Sequence, residues 1–405
     1  MDHWQNYKIL VEFRIWHSLF GFEAGRIANV KSTPLVGTNH QSTVKTKPKS
    51  MPIGLAPGRR LRASGVKHDP EKWEPVFRKR SCLDNRPRRE NLVGFAAAMV
   101  VAMMADAALG WPMGLFVLVG HPVTWFGKLI DLLDAGWNRS SDPPAFRRAA
   151  GVAAALFVIA LAAAVAWAIQ ALLLPAWSRI VLVGILAWPL VALRSLHDHV
   201  AAVAHPLRAG DLRLARTAVA QIVGRDPATL DEGGIARAAI ESLAENASDG
   251  VVAPVFWGAL FGLPGIVGYK AINTLDSMIG HRTPRHEAFG WAAARIDDVA
   301  NLIPARLTAL LFALLAARPS VAMSCMMRDA RHHRSINAGW PEAAMAGALG
   351  VRLSGPRIYD GIVAEEPWLN GGARDPRAAD IEQGLKLYRR AMMLLTGALL
   401  ILALI

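Results

Sequence analysis

Between Ala236 and Ala305 the acids and amides Glu241, Glu245, Asp249, Asn273, Asp276, Asp297, Asp298 and Asn301 alternate with apolar runs long enough to lie in a membrane. Carboxylates bordering hydrocarbon are costly to desolvate, so their retention there points to use. Glu241, Glu245 and Asp249 recur at i, i+4 and i+8. On a continuous helix starting near Gly234 they project from one face. Three acids on one stripe repel one another unless a cation sits between them. A Mg²⁺–phosphate complex suits that arrangement, because Mg²⁺ takes one or two carboxylates together with phosphate oxygens and water. The plainer account of the same stripe is a solvated helix face.

Other groups flank these acids. Lys270, Asn273 and Asp276 fall at i, i+3 and i+6, which puts Asn273 and Asp276 on one helical side with Lys270 a turn earlier, in reach of a phosphate. Asp297 and Asn301 are i, i+4, and Arg295 and Asp298 are i, i+3; either pair serves equally well as a structural bridge. His281, Arg282, Arg285 and His286 form a compact cationic cluster suited to an anionic substrate. A later polar block supplies Arg328, Asp329, His332, His333, Arg334, Ser335, Asn337 and Glu342. Within it, Gly339-Trp340-Pro341-Glu342 predicts a turn and a helix start, with Pro at N1 and backbone N–H groups suited to phosphate. Adjacent His332 and His333 cannot face one ligand on a helix, and His197-x-His199 fails in the same way, so no zinc site is expected. There is no GxxxxGK[ST] loop: Gly120…Gly127-Lys128 is wrongly spaced and Leu129 follows. Any use of ATP would proceed without a Walker fold.

The elements that must position these groups are apolar. The chain has 405 residues, 53% of them hydrophobic, and the apolar residues cluster in runs. Residues 149–178 carry no charge and exceed the roughly 20 residues needed to cross a bilayer core. Residues 91–105, 180–193, 250–269 and 391–405 are also uncharged, and 299–317 are interrupted only by Arg306. We expect an all-α, polytopic integral membrane protein with about four or five transmembrane helices and helical loops on the cytoplasmic side. Arg148 and Arg194 flank the runs at 149–178 and 180–193, which predicts a helical hairpin turning near Pro175. Residues 121–134 read as an amphipathic helix, and 194–249 as short helices punctuated at Asp226-Pro227 and Gly233-Gly234.

The formal net charge of +13 is concentrated at one end. Residues 1–90 hold 18 Lys and Arg against 8 Asp and Glu; the remainder is nearly balanced. That segment is polar and punctuated by Pro and Gly, so it reads either as a disordered, non-catalytic extension or as a basic arm on anionic headgroups. Two domains follow: residues 1–90 as the extension, and 91–405 as the membrane enzyme. Nucleic-acid binding is not supported, since no zinc spacing or base-reading basic helix is present. Cys82 and Cys325 form no disulfide framework or metal motif.

Four long phrases carry a resemblance: AIESLAENASDGVVAPVFWGALFGLPG, YKAINTLDSMIGHR, FGWAAARIDDVANLIPARLTALL and RDARHHRSINAGWPEAAMAGALGVRLSGP. They resemble the signature blocks of the CobD/CbiB family of cobalamin biosynthesis, and HPVTWFGKLI at 121–130 resembles that family's N-terminal HPV motif. The likeness covers about residues 91–405. Ile336 stands where proline is expected after Ser335, and Trp111 where an acid often follows Leu-Gly, which leaves the role of Asp106 open. The resemblance implies adenosylcobinamide-phosphate synthase activity in the bacterial cytoplasmic membrane. The propionate of adenosylcobyric acid would be joined to (R)-1-amino-2-propanol, or its O-phosphate, with ATP hydrolysis.

On that expectation Glu241, Glu245, Asp249 and Asp276 hold Mg²⁺–ATP. Lys270, His281, Arg282 and Arg295 stabilise phosphate charge, with Asn273 and Asn337 beside the nucleotide. Asp297 or His332 accepts the amine proton. The implied partners are the corrinoid, the aminopropanol, the lipid bilayer and other enzymes of the corrinoid pathway. Two alternatives remain at this point. One is a UbiA-like Mg²⁺-dependent prenyltransferase, although its N-x₃-D-x₃-D spacing is missing. The other is a non-enzymatic corrinoid transporter or scaffold, which predicts charges deep inside spans rather than at their ends.

Overall fold

The computed structural model describes residues 86–112, 120–173, 177–223, 227–359 and 362–405. The extension up to residue 85, Pro175 and Asp226 lie outside the described residues. The chain runs through α1 (Arg86–Leu109), α2 (Pro122–Trp137), α3 (Pro144–Leu172), α4 (Trp177–Ala187), a 3₁₀ turn at Trp188–Leu190, α5 (Leu193–Arg208), α6 (Leu212–Val219) and α7 (Glu232–Asn246). A π-turn at Ala247–Val252 carries α7 on into α8 (Ala253–Phe261). Then come α9 (Leu263–Ile279), α10 (Trp291–Ala300), α11 (Leu302–Leu315), α12 (Pro319–Asp329) and α13 (Gly339–Leu349). Two small antiparallel pairs follow, β1 (Leu353–Ser354) with β4 (Trp368–Leu369) and β2 (Arg357–Tyr359) with β3 (Ile362–Ala364), before α14 (Ala378–Leu404).

The protein is an all-α polytopic membrane protein. Among the described residues, four helical segments are long and apolar enough to cross a bilayer: Glu90–Leu109, Pro144–Leu172, Trp177–Arg208 and Ala378–Leu404. The bent pair α10–α11, kinked by 45°, makes a fifth if it counts as one span. That agrees with the four or five expected, but the members differ. The uncharged run 250–269 is not one span: it breaks at Gly262, whose φ of +70° suits a residue lacking Cβ, and Pro264 starts α9 immediately afterwards. The expected hairpin of 149–178 with 180–193 is also modified, because α3 packs chiefly on α9 and α4 chiefly on α1.

Among the described residues three apolar clusters form, the least of them only Ala253, Tyr269 and Ala300. The largest gathers Met99, Val200, Ile240, Val251, Phe312, Met345 and Tyr388 from α1, α5, α7, the π-turn, α11, α13 and α14. The second holds Ile130, Val158, Leu275, Phe289 and Ala293 from α2, α3, α9, the turn before α10 and α10 itself. α9 contributes to all three, so its polar residues sit along the seam between them.

Several polar groups inside apolar helices have structural duties. Asp106 accepts the Arg194 N–H at 2.8 Å and so caps the start of α5, where a carboxylate also meets the positive end of the helix dipole. Arg306 lies 4.7 Å from the Trp340 ring and donates to Asn337 Oδ1 at 2.5 Å and the Ile336 carbonyl at 2.9 Å. Gln170 near the end of α3 accepts the buried Leu263 N–H at 2.8 Å, one of the donors that the start of α9 leaves without a helical partner. Gln170→Leu keeps the volume and removes this acceptor. It should destabilise the fold by about 1–3 kcal/mol, read as a lower thermal midpoint in detergent, and an unchanged midpoint would refute the role.

Candidate functional site at the seam of α7, α9 and α10

α9 brings Lys270 and Asn273, four and six per cent exposed, to the seam. Lys270 lines a cleft with His121, Pro189, Ser195, Asn246 and Gly250. These residues come from the start of α2, the 3₁₀ turn, α5, the end of α7 and the π-turn. Asn273, one turn beyond Lys270, keeps its Oδ1 buried with no hydrogen-bond partner among the described residues.

The π-turn explains how these pieces meet. Its carbonyls at Asp249 and Gly250 face donors from other elements: the Tyr269 hydroxyl reaches the first at 3.2 Å and the Ala192 N–H the second at 3.0 Å. π-turns inside helices recur at functional positions for this reason. Tyr269 also donates to Asn301 Oδ1 at 2.9 Å, and Asn301 Nδ2 donates to Asp297 Oδ2 at 3.1 Å. Asp297, nine per cent exposed, thus belongs to a chain of hydrogen bonds running back to the π-turn. The bend at Asn301 places it there, and Trp257 Nε1 donates to the Ala300 carbonyl beside it at 3.1 Å.

His121 caps α2. Its Nδ1 accepts the Val123 N–H at 3.3 Å and its Nε2 lies 2.9 Å from the Pro189 carbonyl, so Nε2 carries the proton and the ring is neutral. Burial, and then the nearby Lys270 charge, lower its pKa from 6.5 to about 3.

The remaining sequence candidates are placed as follows. Glu241, Glu245 and Asp249 share one continuous helical segment. Glu241 is buried and accepts the Ser354 N–H at 2.7 Å, whereas Glu245 and Asp249 are half-buried. Asp276 is half-buried near the end of α9, its carboxylate lying where a Cβ on Gly280 would fall. Arg295 pairs with Asp298 at 3.0 Å near the surface. His281 is half-buried and Arg282 exposed just past α9. Their neighbours Arg285 and His286 face Asp134 of α2, Arg285 Nε at 2.8 Å and His286 Nε2 at 3.5 Å. Asn337 accepts from Arg306 and donates to the Asp298 carbonyl at 2.8 Å. His332 is exposed; His333 is half-buried, with its Nε2 3.7 Å from Glu342 Oε2.

The start of α13 differs from its expected form. Pro341 is the third helical residue instead of the first, Trp340 N donates to the Asn337 carbonyl, and Glu342 stands in the first turn as expected.

No group of three or more His, Cys, Asp or Glu side chains is close enough to hold a metal among the described residues. The donor set therefore fits Mg²⁺ only in the mode that uses one or two carboxylates and takes its other ligands from phosphate and water.

The tie at Asp134 has a pH signature. Burial alone would raise this carboxyl, but hydrogen bonds from His286, Asn138 and Arg285 outweigh it and bring the pKa from 3.8 to about 2. A depressed folded-state pKa stabilises above the unfolded value and is lost as the carboxylate protonates. Acid should therefore loosen the junction of α2 with the segment between α9 and α10 between about pH 4 and pH 2, and Asp134→Asn should flatten stability across that window in thermal melts.

His121 and Tyr269 were not among the sequence candidates. His121 had a signal, a cap followed by proline at the start of an amphipathic helix. Tyr269 had none, since a tyrosine ending an apolar run reads as core.

Comparison with known proteins agrees with the signature phrases. The family model described as CobD/Cbib protein matches residues 99–388. A Rhodobacter capsulatus protein named "Cobalamin biosynthesis protein CobD" is 65% identical over 300 residues, covering 74% of this chain and 95% of its own. Proteins of the same name from a Sinorhizobium species and from Brucella suis are 46% and 47% identical, covering 76% and 75% of this chain and 98% and 96% of theirs. No solved structure matches the chain. A model matching well over half of the sequence, with the seam of α7, α9 and α10 inside the match, establishes that this chain belongs to the CobD/CbiB family.

Proposed function

We propose that the protein acts in cobalamin biosynthesis as an ATP-dependent amide synthase of the bacterial cytoplasmic membrane. It would join the propionate carboxylate of adenosylcobyric acid to (R)-1-amino-2-propanol or its O-phosphate, with the polar seam open to the cytoplasm. Relatives named for cobalamin biosynthesis cover nearly their whole length in the match, which supports the pathway. The observation that carries the chemistry is a buried cation, Lys270, on α9 next in sequence to Tyr269, the residue that ends the buried Asp297–Asn301–Tyr269 chain.

A carboxylate is a poor acyl donor until it is phosphorylated. Amide formation needs cations where phosphoryl charge develops and a base for the incoming ammonium. Lys270 supplies buried positive charge, and Asp297, fixed by Asn301, supplies a carboxylate for the amine proton. Asn273 Oδ1 adds an acceptor pointing into the protein interior. Glu245 and Asp249, four residues apart and half-buried, would hold Mg²⁺, whose contribution is to neutralise the nucleotide phosphates.

The purified protein in detergent, given adenosylcobyric acid, Mg²⁺–ATP and either amine, should form one amide per ATP consumed. Absence of amide with both amines, from protein that retains its thermal transition, would refute the reading.

A further inference from the structure

α1 and α4 belong to two of the spans, and a groove of about 340 Å³ lies open between them. Its walls are apolar, with Phe95 and Ala98 on one side and Ile180 and Val183 on the other. Its polar residues, Glu90, Asn91 and Arg179, all stand at the end where the two helices start. The floor is set where the helices meet at backbone distance, since a Cβ on Gly184 would fall on the Ala98 carbonyl. Higher up, a Cβ on Gly94 would meet no atom within 4 Å, so the side chain that glycine lacks is part of the hollow.

An apolar hollow facing hydrocarbon has no water to fill it, and leaving it empty forfeits dispersion contact along both walls. At 1.5 Å per residue the stretch from Glu90 to Ala98 is about 12 Å long, which suits part of one acyl chain. Trp177, 77% exposed and two residues before Arg179, marks the headgroup level, where tryptophans collect. Arg179 and Glu90 carry opposite charges at that level, and neither is in an ion pair among the described residues. A guanidinium matches a phosphate, and a carboxylate matches a primary ammonium.

We propose that the groove between α1 and α4 is a phospholipid site that holds one acyl chain of phosphatidylethanolamine. The lipid phosphate lies on Arg179 and its ammonium on Glu90. The site is independent of the amide-synthase reading. It lies at the opposite end of α1 from Asp106, which caps α5 beside the Lys270 cleft, and therefore in the other leaflet. A chain seated on Phe95 also backs the Gly262 turn, because that ring lies where a Cβ on Gly262 would fall. α9 starts from that turn, so the bound lipid stabilises the fold.

The test uses the full chain, purified in mild detergent from membranes that hold both phosphatidylethanolamine and phosphatidylglycerol. Retained lipid is read by native mass spectrometry. The protein is then stripped of lipid and melted with each phospholipid added back. Phosphatidylcholine is the third probe, since it shares the phosphate but its nitrogen bears no N–H. Wild type should retain one phosphatidylethanolamine per chain, bind it at least fivefold more tightly than the other two, and melt at a higher temperature when it is bound.

Gly94→Leu puts a side chain into the hollow. It should cut lipid retention at least tenfold while the lipid-free midpoint stays at the wild-type value or above. Arg179→Gln should weaken all three lipids at least fivefold. Glu90→Gln should weaken phosphatidylethanolamine alone and erase its advantage. Wild-type retention in Gly94→Leu overturns the proposal. So does equal binding of the three lipids by wild type, as an unselective annular layer would give, or a lipid-free midpoint that no added phospholipid raises.

Discussion

Asp297→Asn should lower the turnover of amide formation by about 10²–10⁴-fold, the range over which a positioned acid–base group contributes. The substitution preserves shape, so the hydrogen bond from Asn301 Nδ2 to Oδ2 can be kept by the remaining oxygen, and the fold should survive. What disappears is the buried group able to take a proton. The sequence offered Asp297 and His332 as equals for this role, and the structure separates them. Asp297 is buried at the seam, linked through Asn301 and Tyr269 to the π-turn, whereas His332 is exposed beyond α12. Single-turnover kinetics with preformed ATP complex would isolate the step. A loss of similar size in His332→Ala, with Asp297→Asn near wild type, would return the base role to the histidine.

Gly151→Ala should abolish the native packing of α3, at a cost of about 3 kcal/mol or more. A Cβ at Gly151 falls on the carbonyl of Phe289, which is backbone and cannot rotate away. The mirror-image constraint sits one residue later, where a Cβ on Gly290 would meet the Ile279 carbonyl at the end of α9. These two glycines let α3, the end of α9 and the start of α10 approach at backbone distance, closing the second core around Phe289. Since α9 carries Lys270 and α10 carries Asp297, loosening this contact should remove activity together with stability. Thermal unfolding and hydrogen exchange in detergent would show it, and a wild-type transition in Gly151→Ala would contradict the packing described.

Much of the membrane architecture was legible because hydrocarbon demands long uncharged runs, and α1, α3 and α14 declare themselves in that way. The run at 250–269 misled because apolarity is blind to direction: a helix, a break at Gly262 and a second helix have the same composition as one span. Arg306 looked like an interruption, and only the approach of residues 336–340, thirty positions away, shows how its charge is met. The site was legible in its residue types and much less in its grouping. Spacing could place Lys270 and Asn273 on one helix, but the nearness of His121, 149 positions earlier, depends on how the 3₁₀ turn after α4 folds over α2. The choice between His332 and His333 likewise needs loop geometry, since neighbouring residues carry the same local signal.

The central claim is that the corrinoid propionate is activated by phosphoryl transfer before the amine attacks. In that course one carboxylate oxygen attacks the γ-phosphorus of ATP and ADP leaves. The amine nitrogen then attacks the acyl carbon and loses its proton, and inorganic phosphate departs with that carboxylate oxygen. The most direct measurement uses adenosylcobyric acid labelled with ¹⁸O in the propionate and follows the label by mass spectrometry of the released phosphate. The account predicts one ¹⁸O per phosphate formed, in step with amide. Phosphate free of label, alongside normal amide formation, would contradict it.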